Sequence, residues 1–208
     1  MQEEQQVKII IPQSIENLKL PDPALLLEFM ELKDRTLVLN YDIDMRVSVL
    51  SRQIIRFNKE DKGLPINERK PIYLYIDSDG GSTYDAIGLR SVIELSNTPV
   101  VTVALNISAS AAFIVFMGSK VRLAMPNARF LIHRGYVAVS GERSTVEDTM
   151  KEYDRSDKEW EDYLLSHTKI EKTTYTKQRK KDWWMNAAEA IEYGIATKTI
   201  ENIDELYQ

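Results

Sequence analysis

Two stretches of this chain hold residues that could act together on a carbonyl group. In the first, Ser110 lies between Ala109 and Ala111, after the apolar run Val100-Val101-Thr102-Val103-Ala104-Leu105 and before Ala112-Phe113. A strand that gives way to a helix at a serine presents the hydroxyl at a sharp turn. Small neighbours let a substrate carbonyl come close. The start of a helix also leaves backbone N–H groups unpaired, which favours developing negative charge. In the second stretch, His133 ends the apolar segment Phe130-Leu131-Ile132 and precedes Arg134-Gly135. A serine hydroxyl is a weak nucleophile until an adjacent base takes its proton, and histidine is suited to that near neutral pH. Together the two would be a nucleophile and its base.

Each residue also has a plainer role open to it. A serine that merely caps a helix would have the same surroundings as Ser110, and Ser108 is a second candidate hydroxyl two residues earlier. His133 alone fits a hydrogen-bonded structural histidine. The only other histidine, His167, stands beside Ser166 and Thr168 in a charged stretch, where a solvated surface position is expected. Gly80-Gly81, inside Asp77-Ser78-Asp79-Gly80-Gly81-Ser82, fits a turn that needs positive φ. It also fits a bare backbone presenting an N–H to an oxyanion. Neither common phosphate-loop pattern is present, and Asp79 would repel phosphate.

The elements that must position these residues follow from patterning. Val7 to Ile11 reads as a strand, Leu18 to Asp22 as extended chain, and Pro23 to Met30 as a helix opened by proline after Asp22. Arg35 to Leu39 is a strand. Asp44 caps a helix to about Asn58, with Val47, Leu50, Ile54 and Phe57 on one face. Asn58 to Lys70, with Gly63 and Pro65, is a loop. Ile72 to Ile76 is a strand, Tyr84 to Leu95 a helix, and Val100 to Leu105 a strand again. Strand, helix, strand with short connections implies a right-handed crossover and a parallel sheet. Sites in such sheets form beyond the carboxyl ends of the strands, where both the Gly80-Gly81 and the Ser110 turns fall. Gly141 to His167 is a long charged helix carrying Val146, Met150, Tyr153, Trp160 and Leu164 at helical spacing. That stripe is expected to pack on its own domain or on another subunit. Thr173 to Arg179 is a further helix, Asn186 to Glu189 a capping box closed by Tyr193-Gly194, and Ile195 to Ile200 a last strand.

Composition narrows the chemistry. A chain of 208 residues, 43% hydrophobic and 28% charged, suits one globular domain. A net charge of -5 disfavours binding to nucleic acid or anionic membranes. With no Cys, thiol catalysis and disulfides are excluded, and two histidines make a polyhistidine metal site improbable. No cofactor or metal is expected. The acidic start Met1-Gln2-Glu3-Glu4 is unlike a secretory signal, and no apolar run approaches the roughly 20 residues that span a bilayer. A soluble, cytoplasmic protein is the expectation.

Four segments carry a family resemblance. Tyr73-Leu74-Tyr75-Ile76-Asp77-Ser78-Asp79-Gly80-Gly81-Ser82 resembles the strand and turn of the Clp protease proteolytic subunit, ClpP. Ser108-Ala109-Ser110-Ala111-Ala112 is similar to the segment around that family's catalytic serine. Pro126 to His133 is similar to the segment ending in its catalytic histidine. Asp182-Trp183-Trp184-Met185-Asn186-Ala187-Ala188-Glu189 is similar to the segment opened by its third triad residue. The resemblance runs collinearly from about Leu32 to Ile200. It departs from the family at Asp79, where proline is usual, and over Asn106-Ile107-Ser108, which replaces a glycine-led segment.

The resemblance implies an α/β fold of the ClpP/crotonase type, with a parallel sheet and a protruding handle helix. It implies a single peptidase domain over 32–208 with its handle at about 141–168, preceded by a divergent segment over 1–31. The implied activity is that of a serine endopeptidase acting on unfolded polypeptides or short peptides. Ser110 would be the nucleophile, His133 the base and Asp182 the carboxylate orienting it, with the backbone N–H groups of Gly81 and Ala111 as oxyanion hole. Two stacked heptameric rings enclosing the sites are implied, as is a Clp-type AAA+ ATPase partner docking near Tyr73 and Tyr75. Half-buried strand tyrosines would look the same. The alternatives are a ClpP-related processing peptidase of the phage-maturation or signal-peptide-degrading type, a catalytically silent ClpP paralogue, and a crotonase-type acyl-CoA enzyme. The last would leave a serine–histidine pair unexplained.

Overall fold

Short apolar runs separated by helical stretches build an α/β sheet whose carboxyl edge carries the residues of interest. The computed structural model describes residues 22–206. The strand expected over Val7 to Ile11 lies outside them, as does the extended segment up to residue 21. The chain divides between Asp34 and Arg35 into two units. The first contains α1 (Pro23–Lys33), with proline in the first turn and the Asp22 carboxylate accepting from the Ala24 N–H at 2.9 Å.

The second unit opens on β1 (Thr36–Leu39). Asp44 caps a helical segment as expected, but that segment is a single 3-10 turn, Met45–Val47, before α2 (Ser48–Glu60) begins. Val47, Leu50, Ile54 and Phe57 form the buried face that their spacing predicts. Helix α2 runs two residues past Asn58 because that side chain is satisfied without breaking the helix. Its amide donates to the Ile54 carbonyl and the Ser96 hydroxyl, and its oxygen accepts from the Asn97 and Thr98 N–H groups.

Then come β2 (Ile72–Ser78), α3 (Thr83–Glu94) capped by Ser82, β3 (Val100–Ala109) and α4 (Ala111–Phe116). The chain continues through β4 (Val121–Ala124), β5 (Arg129–Ile132), α5 (Arg143–His167) and α6 (Lys172–Gln178). After them come β6 (Trp183–Asn186), α7 (Ala187–Glu192) and β7 (Lys198–Thr199), and a 3-10 turn over Ile203–Leu206 follows. The capping box at Asn186 and Glu189 forms with both of its hydrogen bonds. The expected last strand shrinks to two residues, because the Ile195 and Ala196 N–H groups are taken by the Ala190 carbonyl at the end of α7.

Strands β1-β2-β3-β4-β7 form a parallel path in that order. Strand β3 has ten residues because it serves two neighbours in turn. Val101 to Ala104 pair with β4, and Ile107 to Ala109 pair with β5, also in parallel. Strand β6 then adds to the free side of β5 and runs antiparallel, the one departure from the expected parallel sheet. One face is fully buried, while the other, which carries Tyr73 and Tyr75, is half-covered along β1 and β2. Leu74, Ile76, Val103 and Ala104 are wholly buried, and every residue of α4 is buried. Phe130 of β5 packs against Phe116 and Phe113 of α4, with ring centres 5.1 and 6.4 Å apart.

Helix α5 uses its apolar stripe unevenly. Its second half is anchored to the sheet unit. Trp160 meets Phe113 edge-on at 6.1 Å, Leu164 is fully buried, and the Tyr163 hydroxyl donates to the Met117 carbonyl. The Arg90 guanidinium lies 4.1 Å from the centre of the Tyr163 ring. Its first half keeps Met150 exposed. Among the described residues no helix is long and apolar enough to cross a membrane.

One buried ion pair locks the start of the unit. The Arg35 guanidinium donates two 2.6 Å hydrogen bonds to Asp61, and the Thr98 hydroxyl donates a third at 2.7 Å. Those bonds, led by Arg35, hold the Asp61 carboxyl below its usual range even though burial opposes ionisation. Without Asp61 the partly exposed Arg35 keeps Glu60 at 4.0 Å and the Lys70 carbonyl, so Asp61→Ala is expected to lose about 1–3 kcal/mol in chemical denaturation at pH 7. Because the folded pKa is depressed, this contribution is complete above the unfolded carboxylate value of about 4. It is lost as pH falls through the folded value, so wild type and variant should converge there.

Candidate active site

Ser110 is the first residue after β3 and precedes α4, where a helix N-cap would stand. It does not act as a cap: its side chain makes no capping hydrogen bond. Its backbone has φ 53 and ψ -121, and besides Arg35 it is the only non-glycine residue at positive φ among the described residues. Such a conformation costs a residue with a Cβ roughly 1–3 kcal/mol and persists only where surrounding structure imposes it. Here that structure is the β3–β5 ladder, since the Ser110 N–H donates to the Leu131 carbonyl at 3.0 Å. Turned this way, the hydroxyl faces the end of β5 rather than the helix.

His133 follows Ile132 at that end. Parallel pairing of Ala109 with Leu131 carries Ser110 and His133 out of the sheet side by side. Ser110 Oγ and His133 Nε2 stand 2.6 Å apart. Ser108, the other candidate hydroxyl, is wholly buried and its oxygen has no hydrogen-bond partner among the described residues. His167 is exposed near the end of α5, stacked on Tyr163 at 4.1 Å, with Nδ1 2.8 Å from the Tyr163 carbonyl.

Asp182 arrives by a route that local patterning does not display. Strand β6 pairs antiparallel with β5, Ile132 opposite Trp183, so the residue before β6 meets the residue after β5. His133 Nδ1 and Asp182 Oδ1 are 3.8 Å apart, within ion-pair reach but too far for a hydrogen bond. The Asp182 side chain is 67% exposed. Strand β6, like β4, is not among the elements expected from patterning. Two adjacent tryptophans, one buried and one exposed, are its only local signature.

The Gly80-Gly81 turn closes against Ser110. Gly81 forms an isolated parallel bridge with Ile43, in which the Ile43 N–H donates to the Gly80 carbonyl and the Ser82 N–H to the Ile43 carbonyl. A bridge of this kind uses the neighbours' groups and leaves the Gly81 N–H out of the pairing. The Gly80 N–H, by contrast, donates to Ser78 Oγ. A Cβ at Gly80 would stand 2.7 Å from Ser110 Cβ and 2.9 Å from the Ala111 nitrogen, so the glycine turn touches the backbone of the serine turn. A Cβ at Gly81 would collide with the Ile43 backbone.

Gly80→Ala is therefore expected to cut kcat of the hydrolysis assigned below by about tenfold to a hundredfold, because it must push the Ser110 turn aside. Gly63→Ala is the control. It has a comparable positive φ but open space around the Cβ, so it should lose a little stability and no activity.

Two hollows flank the pair. A small one of about 70 Å³ beside Ser110 has apolar walls from Ile87, Phe113, Ile114, Leu131 and Trp160. A larger one of about 610 Å³ is lined by His133 and Asp182 together with Arg134, Arg179, Lys180 and Lys181. Tyr73 and Tyr75 lie elsewhere, half-buried on β2 against Val101, Val103, Leu123 and Ile200.

Comparison with known proteins fits this geometry. The family model described as Clp protease matches residues 29–203. The ATP-dependent Clp protease proteolytic subunit 2 of Treponema denticola is 29% identical over 184 residues, covering 87% of this chain and 88% of its own. The ATP-dependent Clp protease proteolytic subunit of Porphyromonas gingivalis is 30% identical over 171 residues, 81% of this chain and 74% of its own. Among solved structures, a ClpP1 point mutant from Listeria monocytogenes has the same fold. Its TM-score is 0.73 at 23% identity, over 86% of this chain and 99% of that one. A strained serine beside a histidine, on this sheet and with a family match across most of its length, gives one conclusion: the chain belongs to the Clp protease family.

Proposed function

We propose that the protein is a serine endopeptidase in which Ser110 is the nucleophile and His133 the general base. The observation that carries this is the 2.6 Å approach of Ser110 Oγ to His133 Nε2, made by a serine that forgoes its capping bond. His133 takes the hydroxyl proton as Oγ attacks the scissile carbonyl, then returns it to the leaving amine. A water repeats the sequence on the acyl-enzyme. Asp182, facing Nδ1, favours the tautomer with a bare Nε2 and stabilises the imidazolium. The N–H groups of Gly81 and Ala111 receive the oxyanion; support for this comes from the Gly81 N–H left out of its bridge and the turn packed on Ser110. The hollow beside Ser110, with Ile87, Phe113, Ile114, Leu131 and Trp160 among otherwise mainly polar lining residues, supports a hydrophobic side chain at the residue whose carbonyl is attacked.

The substrates in this proposal are unfolded polypeptides or short peptides. The relatives are named as proteolytic subunits of ATP-dependent Clp proteases. The wider setting in this proposal is a cytoplasmic subunit of that kind, assembled as two stacked heptameric rings and fed by a Clp-type AAA+ ATPase docking near Tyr73 and Tyr75. Met150 in the first half of α5 is exposed, which supports assembly, while Val146 and Tyr153 are partly buried and Tyr153 packs on Tyr84. Labelling with a fluorophosphonate probe tests the nucleophile. Labelling should vanish in Ser110→Ala and survive in Ser108→Ala, and the reverse pattern would overturn the assignment. Sedimentation at micromolar concentration tests assembly: a 24.0 kDa monomer would count against the rings.

A further inference from the structure

The larger hollow has a charge pattern that hydrolysis at Ser110 does not require. Its walls carry four cations, Arg134, Arg179, Lys180 and Lys181, against the single carboxylate of Asp182, in a chain whose net charge is -5. The cations fall into two classes. The arginines are held from behind by α5. Arg134 Nε stands 3.1 Å from Asp157, and Arg179 donates to the buried Glu161 at 2.7 Å. Arg179 also packs over the Tyr175 ring at 5.6 Å. These contacts fix the wall and largely spend the arginine charge. Lys180 and Lys181 are exposed, and among the described residues neither reaches a carboxylate partner. Two unpaired ammonium groups thus stand in a cleft of about 610 Å³ that also opens on His133, the group that handles the scissile bond.

We propose that this cleft is a subsite for an acidic side chain of the substrate, close to but not at the scissile bond, with Lys180 and Lys181 as its partners. The inference rests on Ser110 and His133 being the peptidase pair. A carboxylate bound there gains two cations on an already anchored wall, while an apolar or basic side chain gains none. Because the lysines are exposed, the attraction is modest and sensitive to salt, whose screening length is about 8 Å at 0.15 M.

The test uses fluorogenic peptides with a hydrophobic residue before the cleaved bond, scanning Glu against Gln through three positions on each side. At low salt, one position should favour Glu by roughly three- to tenfold in kcat/KM, falling towards unity in 0.5 M NaCl. In the Lys180→Gln, Lys181→Gln double variant the preference should vanish, while turnover of the Gln peptides and fluorophosphonate labelling stay unchanged. Equal rates for Glu and Gln at every position, or a preference that survives in the double variant, would overturn the subsite while the peptidase assignment stands. Loss of both peptide turnover and labelling in the unmodified protein would overturn the peptidase assignment and the subsite with it.

Discussion

Ser110→Ala is expected to lower kcat on a peptide substrate by about 10⁴- to 10⁶-fold with little change in KM. Among the described residues Ser110 is the hydroxyl in hydrogen-bond contact with His133, and Ser108 could not stand in for it, being buried within β3 with its oxygen reaching no partner. The same position carries a second expectation, on stability. With φ 53 and ψ -121, Ser110 occupies a conformation that glycine adopts freely and a residue with a Cβ does not. Ser110→Gly should therefore be about 1–3 kcal/mol more stable than Ser110→Ala, both being inactive. Thermal melts of the two variants, compared with single-turnover kinetics, separate the roles. A Ser110→Ala variant retaining a tenth of wild-type turnover would remove the nucleophile assignment. Equal melting of the alanine and glycine variants would show that the turn is unstrained.

Asp182→Asn is expected to reduce kcat/KM by about 10²- to 10³-fold. A buried, hydrogen-bonded carboxylate in this role is worth about 10⁴. Here the carboxylate is 3.8 Å from Nδ1 and its side chain is two-thirds exposed, so water competes for both the charge and the orientation of the imidazole. What Asp182 retains is its placement at the β5–β6 junction, facing the nitrogen that must carry the proton. The measurement is steady-state kinetics of Asp182→Asn beside Asp182→Glu, whose longer side chain can close the gap and should recover part of the rate. A loss of the full 10⁴ would mean that the working enzyme brings the carboxylate into hydrogen-bond contact. A loss below threefold would sink Asp182 as the orienting group.

Local signals in the chain fared according to the range of the forces behind them. The helix faces over Val47 to Phe57 and the Asn186 capping box needed only contacts within a few residues, and both formed as their spacing indicated. Where a segment's partners were remote, local reading went astray. Asn58 looked like a helix end but is satisfied by Ser96, Asn97 and Thr98, so the helix continues past it. The apolar run from Ile195 to Ile200 looked like a full strand but loses its first N–H groups to the end of α7. Strand β4 shows no pattern of its own and exists because β3 is long enough to pair with it and with β5 in turn.

The same division holds at the site. By itself the sequence determined that a serine follows an apolar strand, that a histidine ends another, and that a glycine pair sits in a turn. These are properties of residue type and neighbouring residues. Family likeness added Asp182, which no local pattern selects from the chain's other acids. Only the tertiary structure decided that Ser110 is twisted out of the capping role and that its hydroxyl meets His133 rather than a backbone N–H. It alone set Asp182 opposite Nδ1, through the antiparallel pairing of Ile132 with Trp183, 51 residues apart in the chain. Distances between strands are fixed by ladder register and sheet order, which depend on burying the whole sheet at once, and no single segment contains that information.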